Sequence, residues 1–563
     1  MNKKWQICEI NQEKVNEIKE KYKISDLLAT ILVNKKLVDK DDIELFLNPT
    51  RNDFYDPFLI NDMDIATERI IKAIKNQEKV IIYGDYDVDG ITSITVLKSF
   101  LKDAGLEVGY YIPNRLEEGY GLNKNAIDKI YNENYELMIT VDCGISANEE
   151  IEYANSLGLE VIVTDHHEPG DVIPNALAVI DNKRKDSRYP FRELAGVGVA
   201  FKVAQALGQK LGMREEAYLK YLDIVCVGTI SDIVPLISEN RVIAKLGLKL
   251  IKQTKNLGLR SIINSSGYNQ INSTTISFGV APRINACGRM GKAEEALNLL
   301  LSQDIYQVNE LTKKLNDHNR ERQEIEKSIF NDAIQKIEKE QLSNNRTIVL
   351  GGENWHHGVI GIVSSKITEM YFKPSILLSF EEDGIGKGSG RSIPGFDLHE
   401  ALMKCEDTIE RFGGHSMAIG ITIKKDKLDE FYKQFEGIAK ENKIEEIIPI
   451  VNIDAKVDLN EINKSMVADL KELEPFGEAN KMPIFAFKNV KIDSIRALSE
   501  GKHLKLTLRD NNQIVNAIGF NMGKLADEYK IGDKIDIAGM LEINTFNGVD
   551  NLQINIKDIM KSI

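Results

Sequence analysis

Residues 79–90 read KVIIYGDYDVDG. A run of β-branched residues passes directly into carboxylates at alternate positions, Asp85, Asp87 and Asp89, and closes on Gly90. Carboxylates crowded at a strand end raise one another's pKa and oppose folding unless a cation offsets them, so the stretch predicts a strand that delivers ligands to a divalent metal. Two further apolar runs end the same way. ELMITVDCG places Asp142 at its end, and LEVIVTDHH places Asp165, His166 and His167. Such strands read as neighbours in a parallel sheet, whose carboxyl ends form the crevice where α/β folds carry their chemistry. GTISDIVPL sets Asp232 in a turn before a proline, able to bring another carboxylate to that crevice. Oxygen and imidazole donors together suit Mn2+ best and Mg2+ second, and they exclude a thiolate-rich zinc site.

Working outward, the 563 residues predict roughly three to four domains. No apolar stretch approaches the roughly 18 residues of a membrane span, and the N-terminus turns polar too soon for a secretory signal. Five widely spaced cysteines (Cys8, Cys143, Cys226, Cys287, Cys405) read as reduced thiols in a cytoplasmic protein. The net charge of −14 argues against nucleic acid only if the chain is averaged. Residues 481–509 carry seven Lys or Arg against two acids, a local basic stripe.

Residues 1–50 have a charged helical pattern, and residues 79–181 alternate buried strands with helices. Residues 191–300 read as mainly helical. From Tyr306 to Gln341 the chain is highly charged without Gly or Pro, which predicts one long, largely solvated connector helix. The last hundred or so residues hold five short strand patterns between turn signals (KIDSIRAL, HLKLTLRD, QIVNAIGF, KIDIAGML, LQINIKDI), as in a small OB-like barrel.

A second concentration of chemistry lies in 351–415. ENWHHGVIGIV offers His356 and His357, GKGSGRSIPGFD packs Ser389, Arg391 and Ser392 among glycines, and RFGGHSMAIG supplies His415. Glycines let backbone N–H groups approach an anion, and hydroxyls with a guanidinium fork complete a phosphate cradle. RINACGR adds Arg283 and Arg289. His357 reads as structural. Phe485, Phe487, Phe520 and Phe546 could stack on bases, but the period-two spacing of the first two fits a core-facing strand.

Taken in order, LNPTRNDFYDPFLINDM, GDYDVDG, PNRLEEGYGL, TVDCGIS, TDHHEPG, GTISDIVPL, RINACGR, WHHGVIGIV, SGRS and FGGH resemble the RecJ-type single-strand-specific exonucleases of the DHH phosphoesterase superfamily. The resemblance implies an α/β fold: a parallel-sheet DHH domain (51–300) after an N-terminal helical segment (1–50), a connector helix (301–345), a smaller α/β DHH-associated domain (346–445) and an OB-like β-barrel (446–563). It implies metal ligands at Asp87, Asp89, Asp142, His166 and Asp232, with Asp142 bridging two ions, and less defined roles for Asp85 and His167. Arg115, Arg283, Arg289, Ser389, Arg391 and Ser392 would hold the strand's backbone and 5′ end, with His356 and His415 facing the cleft. Lys502, Lys505 and Arg509 would guide the strand on the barrel. Tyr83 departs from related pyrophosphatases, which carry a histidine ligand there.

The implied activity is hydrolysis of single-stranded DNA from the 5′ end to 5′-mononucleotides, in DNA repair and recombination. Implied partners are a single-strand-binding protein and a RecQ-type helicase, and the implied state is a monomer away from membranes. Two readings compete: a phosphodiesterase of short oligonucleotides or cyclic dinucleotides, and an inactive scaffold at the replication machinery.

Overall fold

The structure is a computed structural model that describes residues 3–115, 117–511, 513–546 and 549–562, with the side chain of Phe546 outside that set. It divides into two compact units, Phe54–Pro235 with Ile243–Ile447, and Met1–Asp53 with Leu236–Val242 and Ile448–Ile563.

In the larger unit five strands form an all-parallel sheet: β1 (Val80–Gly84), β2 (Gly109–Tyr111), β3 (Leu137–Val141), β4 (Glu160–Asp165) and β5 (Ala178–Asp181), ordered β2-β1-β3-β4-β5. Every residue of β1 and β3 is buried, which is why these strands are apolar runs rather than alternating ones. Each such Val, Ile or Leu contributes about 2 kcal/mol by leaving water. The strand order reverses between β1 and β3, so the connections leaving their carboxyl ends diverge and open a crevice. Helix α1 (Val88–Asp103) leaves β1 at that crevice and packs on α2 (Gly196–Lys210) and α3 (Leu222–Ser231).

Helix α4 (Ala281–Arg289) leads towards the 35-residue helix α5 (Ile305–Lys339). Sequence predicts one long helix with Leu311, Leu315, Ile325, Ile329 and Ile337 at helical spacing; the structure forms it, leaves most of its faces outside the core and buries Val308, Leu311, Leu315, Ile329, Ala333 and Ile337 along one stripe. Its first half packs on α4 and its second half on α6 (His357–Tyr371). High charge on the other faces keeps them in solvent. A mixed sheet follows: β6 (Ile348–Glu353), β7 (Ser375–Phe380), β8 (Ile385–Arg391), β9 (Arg411–His415) and β10 (Ala418–Lys424), ordered β9-β10-β8-β7-β6 with only β6 and β7 parallel.

The smaller unit is built on a barrel of β11 (Phe485–Leu498), β12 (His503–Asp510), β13 (Gln513–Gly519), β14 (Lys534–Phe546) and β15 (Val549–Lys561). The order is β11-β12-β13-β15-β14, and β14 pairs back onto β11 to close it. Three of these strands run 14, 13 and 13 residues, longer than the short segments read from sequence. Closure requires it, because β11 pairs with β12 along one stretch and with β14 along another, with irregularities at Ile492/Ser494 and Phe487/Val490 that let it bend.

The first 53 residues do not stand alone. Helices Gln12–Tyr22, Asp26–Asn34 and Lys40–Leu47 bring Val15, Ile18, Leu28, Ile31 and Phe46 into one core with Phe485, Phe487 and Leu506 of the barrel. Arg241 is buried there with its guanidinium 3.5 Å from the Phe46 ring, donating from Nη2 to the carbonyls of Leu473 at 3.1 Å and Glu474 at 3.2 Å. Among the described residues, no helix is long and apolar enough to cross a membrane.

Candidate metal and phosphate site

The crevice at the carboxyl ends of β1, β3 and β4 gathers the acids. Asp87 caps α1, its Oδ1 accepting from the N–H groups of Asp89 at 2.9 Å and Gly90 at 3.1 Å. Gly90 is required, because a Cβ there would lie 2.3 Å from the Asp85 carbonyl oxygen. Asp89, on the first turn of α1, accepts from Gly196 N at 2.6 Å and Val197 N at 2.9 Å at the start of α2. Two helix N-termini thus hold one carboxylate. Asp142 follows β3 with φ of +58°, a left-handed conformation that costs a non-glycine residue on the order of 1 kcal/mol and aims the side chain into the crevice. Asp232 ends α3 and reaches the same place.

These groups interlock. His166 Nε2 lies 3.1 Å from Asp142 Oδ1, 3.6 Å from Asp232 Oδ2 and 3.7 Å from Asp89 Oδ2. Asp85, Asp87 and Asp142 form one potential ligand group; Asp89, His166 and Asp232 form a second; Asp142, His166 and His167 form a third. Asp142 therefore belongs to groups on both sides. Burial first, then the neighbouring carboxylates, pushes Asp85, Asp142 and Asp232 well above the usual carboxylate range and Asp89 up to about 7. His166 is pushed down to about 3 by burial and then by His167, so its imidazole is neutral. Both its ring nitrogens are buried without a hydrogen-bond partner, and so is Asp85 Oδ1. Unpaired nitrogens on a neutral imidazole facing destabilised carboxylates are what a divalent cation satisfies, and the donor set fits Mn2+ or Mg2+.

His167 behaves differently. Burial opposes its protonation, but Asp165 Oδ1 at 2.7 Å from Nδ1 prevails and raises it to about 9. Asp165 also accepts from the backbone N–H groups of His166 and His167, and through Oδ2 from Ile145, so it fixes the whole turn. Tyr83 is turned away: its hydroxyl donates to the Gly121 carbonyl at 2.9 Å and its ring stacks on Tyr111.

A cluster of guanidinium groups borders the acids. Arg115 lies over the Tyr86 ring at 5.0 Å. Arg391 donates from Nη1 to Ser389 Oγ at 2.8 Å, and Gly361 of α6 leaves the space that its Nη2 occupies. Arg289 donates to the Gly358 carbonyl at 2.6 Å, and it is pushed down to about 10 by burial and then by Arg115, Arg322 and Arg391. Mutually repelling arginines held together beside an acidic crevice are a concentration of positive charge that an anion such as phosphate would neutralise. His356 caps α6, its Nδ1 accepting from Gly358 N at 3.1 Å. His415 lies in β9 on the same sheet row as Arg391, through Ala418 of β10. His357 pairs with Glu381 at 3.0 Å, in keeping with a structural role.

Other candidates are committed elsewhere. Arg283 donates to Asn316 Oδ1 at 2.7 Å and to the Gly279 and Ser265 carbonyls, tying helices together. Ser392 is buried and donates to the Phe396 carbonyl at 2.7 Å. Arg509 forms a two-point bond with Asp493, at 2.9 and 3.0 Å. Lys502 and Lys505 lie on the barrel, in the smaller unit. Sequence reading passed over Tyr120, whose hydroxyl is 3.4 Å from His167 Nδ1, although it sits in the quoted PNRLEEGYGL. It also passed over Arg322, held on α5 by Asn319 and Glu326; only its i−3 and i+4 spacing to those polar residues signalled it.

Three family models match in succession: the DHH family N-terminal domain over 79–229, the DHHA1 domain over 344–441 and the RecJ OB domain over 453–558. Over 560 residues the chain is 40% identical to the single-stranded-DNA-specific exonuclease RecJ of Bacillus subtilis, spanning 99% of this chain and 70% of that protein. The chain belongs to the RecJ family. It is 31% identical to the Escherichia coli RecJ exonuclease over 89% of this chain and 90% of that one. The crystal structure of Thermus thermophilus RecJ in complex with Mn2+ covers 100% of the chain, with 80% of that chain covered, a TM-score of 0.87 and 29% identity. The parallel-sheet domain, the second α/β domain and the closed barrel are those of this family.

Proposed function

We propose that this chain is a metal-dependent exonuclease that degrades single-stranded DNA 5′→3′ to 5′-mononucleotides in repair and recombination. The observation that carries the reading is the sharing of Asp142 between two ligand groups immediately beside the arginine cluster. Asp87, Asp89, Asp142, His166 and Asp232 would hold two divalent ions, with Asp85 completing the group on the Asp87 side. Bound there, the ions would lower the pKa of water and stabilise charge on a phosphate under in-line attack.

The chain's own residues do the rest. Arg391 and Ser389 would hold a terminal phosphate, while Arg115 and Arg289 hold the next, which sets the scissile bond at a fixed distance from the acids. His167, protonated and oriented through Nδ1 by Asp165, leaves Nε2–H to donate to a phosphate oxygen. His166 stays neutral and acts only as a donor of electrons. Single-stranded DNA is thus the partner, and a single-strand-binding protein and a RecQ-type helicase are proposed from family resemblance.

The test is incubation of 5′-labelled single strand, duplex and overhang with Mn2+ or Mg2+, with products resolved by size. Mononucleotides should appear from the 5′ end of single strands and not from blunt duplex. Asp142→Ala should abolish them while strand binding survives. A variant with more than a small fraction of wild-type turnover in Mn2+ would exclude two ions sharing this residue. Hydrolysis confined to dinucleotides would favour an oligonucleotide phosphodiesterase, and no hydrolysis with either ion would favour a scaffold.

A further inference from the structure

The second α/β domain leaves one edge of its sheet open. Strand β6 (Ile348–Glu353) ends the order β9-β10-β8-β7-β6, so among the described residues it pairs with β7 alone. Ile348 N donates to the Pro374 carbonyl at 3.0 Å and Asn354 N to that of Phe380 at 3.4 Å, so the even-numbered residues face β7. The N–H and C=O groups of Val349, Gly351 and Glu353 therefore point away from the sheet. Among the described residues one bond reaches that row, from Lys336 Nζ of α5 to the Gly351 carbonyl at 2.9 Å.

The open edge lies at the bottom of a groove. One wall is the second half of α5, with Asp332, Lys336 and Glu340 on successive turns, and the other is α7 (Leu428–Glu441). The cavity between them measures about 540 Å³, within the range of ligand sites. Val349 shares a core with Phe431 of α7, whereas Leu350 packs with Ile337 of α5, so helices cover both faces of the strand and leave its edge. An open edge accepts an extended chain unless a charge or proline blunts it, and β6 carries neither before Glu353. The groove is preformed: Trp355 Nε1 donates to Asp332 Oδ2 at 3.0 Å, and a Cβ at Gly352 would lie 2.1 Å from that indole. A preformed site loses little entropy when a ligand enters it.

Charge selects the occupant. Lys336 pairs with Asp332 at 3.3 Å and Lys425 with Glu353 at 3.2 Å, which leaves Glu340 on one wall and Asp429 on the other without a paired cation among the described residues. Glu340 caps the carboxyl end of α5, where the helix dipole opposes a negative side chain. A strand laid along β6 turns alternate side chains to the two walls, so a lysine or arginine on each face would meet one of these acids. The same acids repel nucleic acid, and two copies paired through β6 would bring like charges together.

We propose that this groove takes an extended segment of a partner protein, carrying lysine or arginine on both of its faces, as a sixth strand beside β6. The inference is independent of the nuclease reading. It is tested by selecting phage-displayed random octapeptides on the full chain, then following the enriched sequences as fluorescein-labelled peptides by anisotropy. These should carry Lys or Arg at both odd and even positions among apolar residues. Glu340→Lys combined with Asp429→Lys, both at exposed positions, should weaken their binding at least about ten-fold. Methylating every second peptide nitrogen should abolish binding in one parity and spare it in the other, because one row of N–H groups faces β6. Enrichment no greater on the wild type than on the double variant, enriched peptides without basic residues, or equal effects of the two methylation patterns would overturn the proposal. A wild-type dimer in sedimentation that the peptides dissociate would also overturn it, in favour of a second copy of the chain.

Discussion

Replacing Asp89 by asparagine should stabilise the ion-free protein at neutral pH while impairing the enzyme. Asp89 is 1% exposed, and burial followed by the charge of Asp87 raises its pKa from 3.8 to about 7. A carboxylate whose folded pKa exceeds its unfolded value imposes no penalty below pH 4, and an increasing one as pH rises to 7, where the full difference of about three units is worth about 4 kcal/mol. Asparagine removes that penalty. It also gives up one acceptor, because the carboxylate receives both Gly196 N and Val197 N, and a donor left unpaired costs about 1 to 3 kcal/mol. The balance is a gain of roughly 1 to 3 kcal/mol at pH 8 in chelator, shrinking to nothing and then reversing as pH falls towards 4. With Mn2+ the order changes, since the wild type gains its ions' binding energy and the variant has lost a ligand. Thermal unfolding of both proteins at pH 5, 6, 7 and 8, in chelator and in Mn2+, reads each of these terms. A variant no more stable than wild type at pH 8 in chelator, or one that gains as much from Mn2+, would refute the reasoning that buried carboxylate repulsion is held ready for metal.

Asp181, fully buried at the end of β5, is raised to about 7 chiefly by burial, and its Oδ2 has no partner while Oδ1 accepts from Lys183 N at 2.7 Å. Asp181→Asn keeps that bond and should add about 2 to 4 kcal/mol above pH 7 and little below pH 4, read by thermal unfolding; equal stability at pH 8 would show the carboxyl is not held at a cost. Arg391→Ala should lower turnover on short strands at least about ten-fold and remove discrimination for a 5′ phosphate, because the scissile bond loses its register. Changing Lys502 and Lys505 together should leave that discrimination intact while lowering the slope of log affinity against log salt by roughly 1.4, and a swap of these two phenotypes would reverse the assignment of anchoring and guidance.

The order of metal-binding motifs, the parallel sheet behind them and the barrel at the end were legible in the chain because each depends on local pattern. A buried parallel strand must be a continuous apolar run, and β1, β3 and β4 are such runs ending in Asp85, Asp142 and Asp165. What those residues become was decided by tertiary structure. Asp142 reaches both ligand groups through a left-handed backbone and a bare Gly196, where a Cβ would lie 2.7 Å from the Asp142 Cβ. His166 and His167 are adjacent and chemically alike, yet one is neutral and the other protonated, because burial prevails at the His166 ring while the His167 ring is bonded to Asp165 through Nδ1. Arg283 and Arg509 look like phosphate ligands in a one-dimensional reading and are spent on Asn316 and Asp493. The helices before residue 53 share a core with a barrel more than 400 residues later, and Arg241 from mid-chain fastens it. Local pattern determines which side chains face inward, but long-range packing determines which of them meet, and a charge takes its protonation state from the groups it meets.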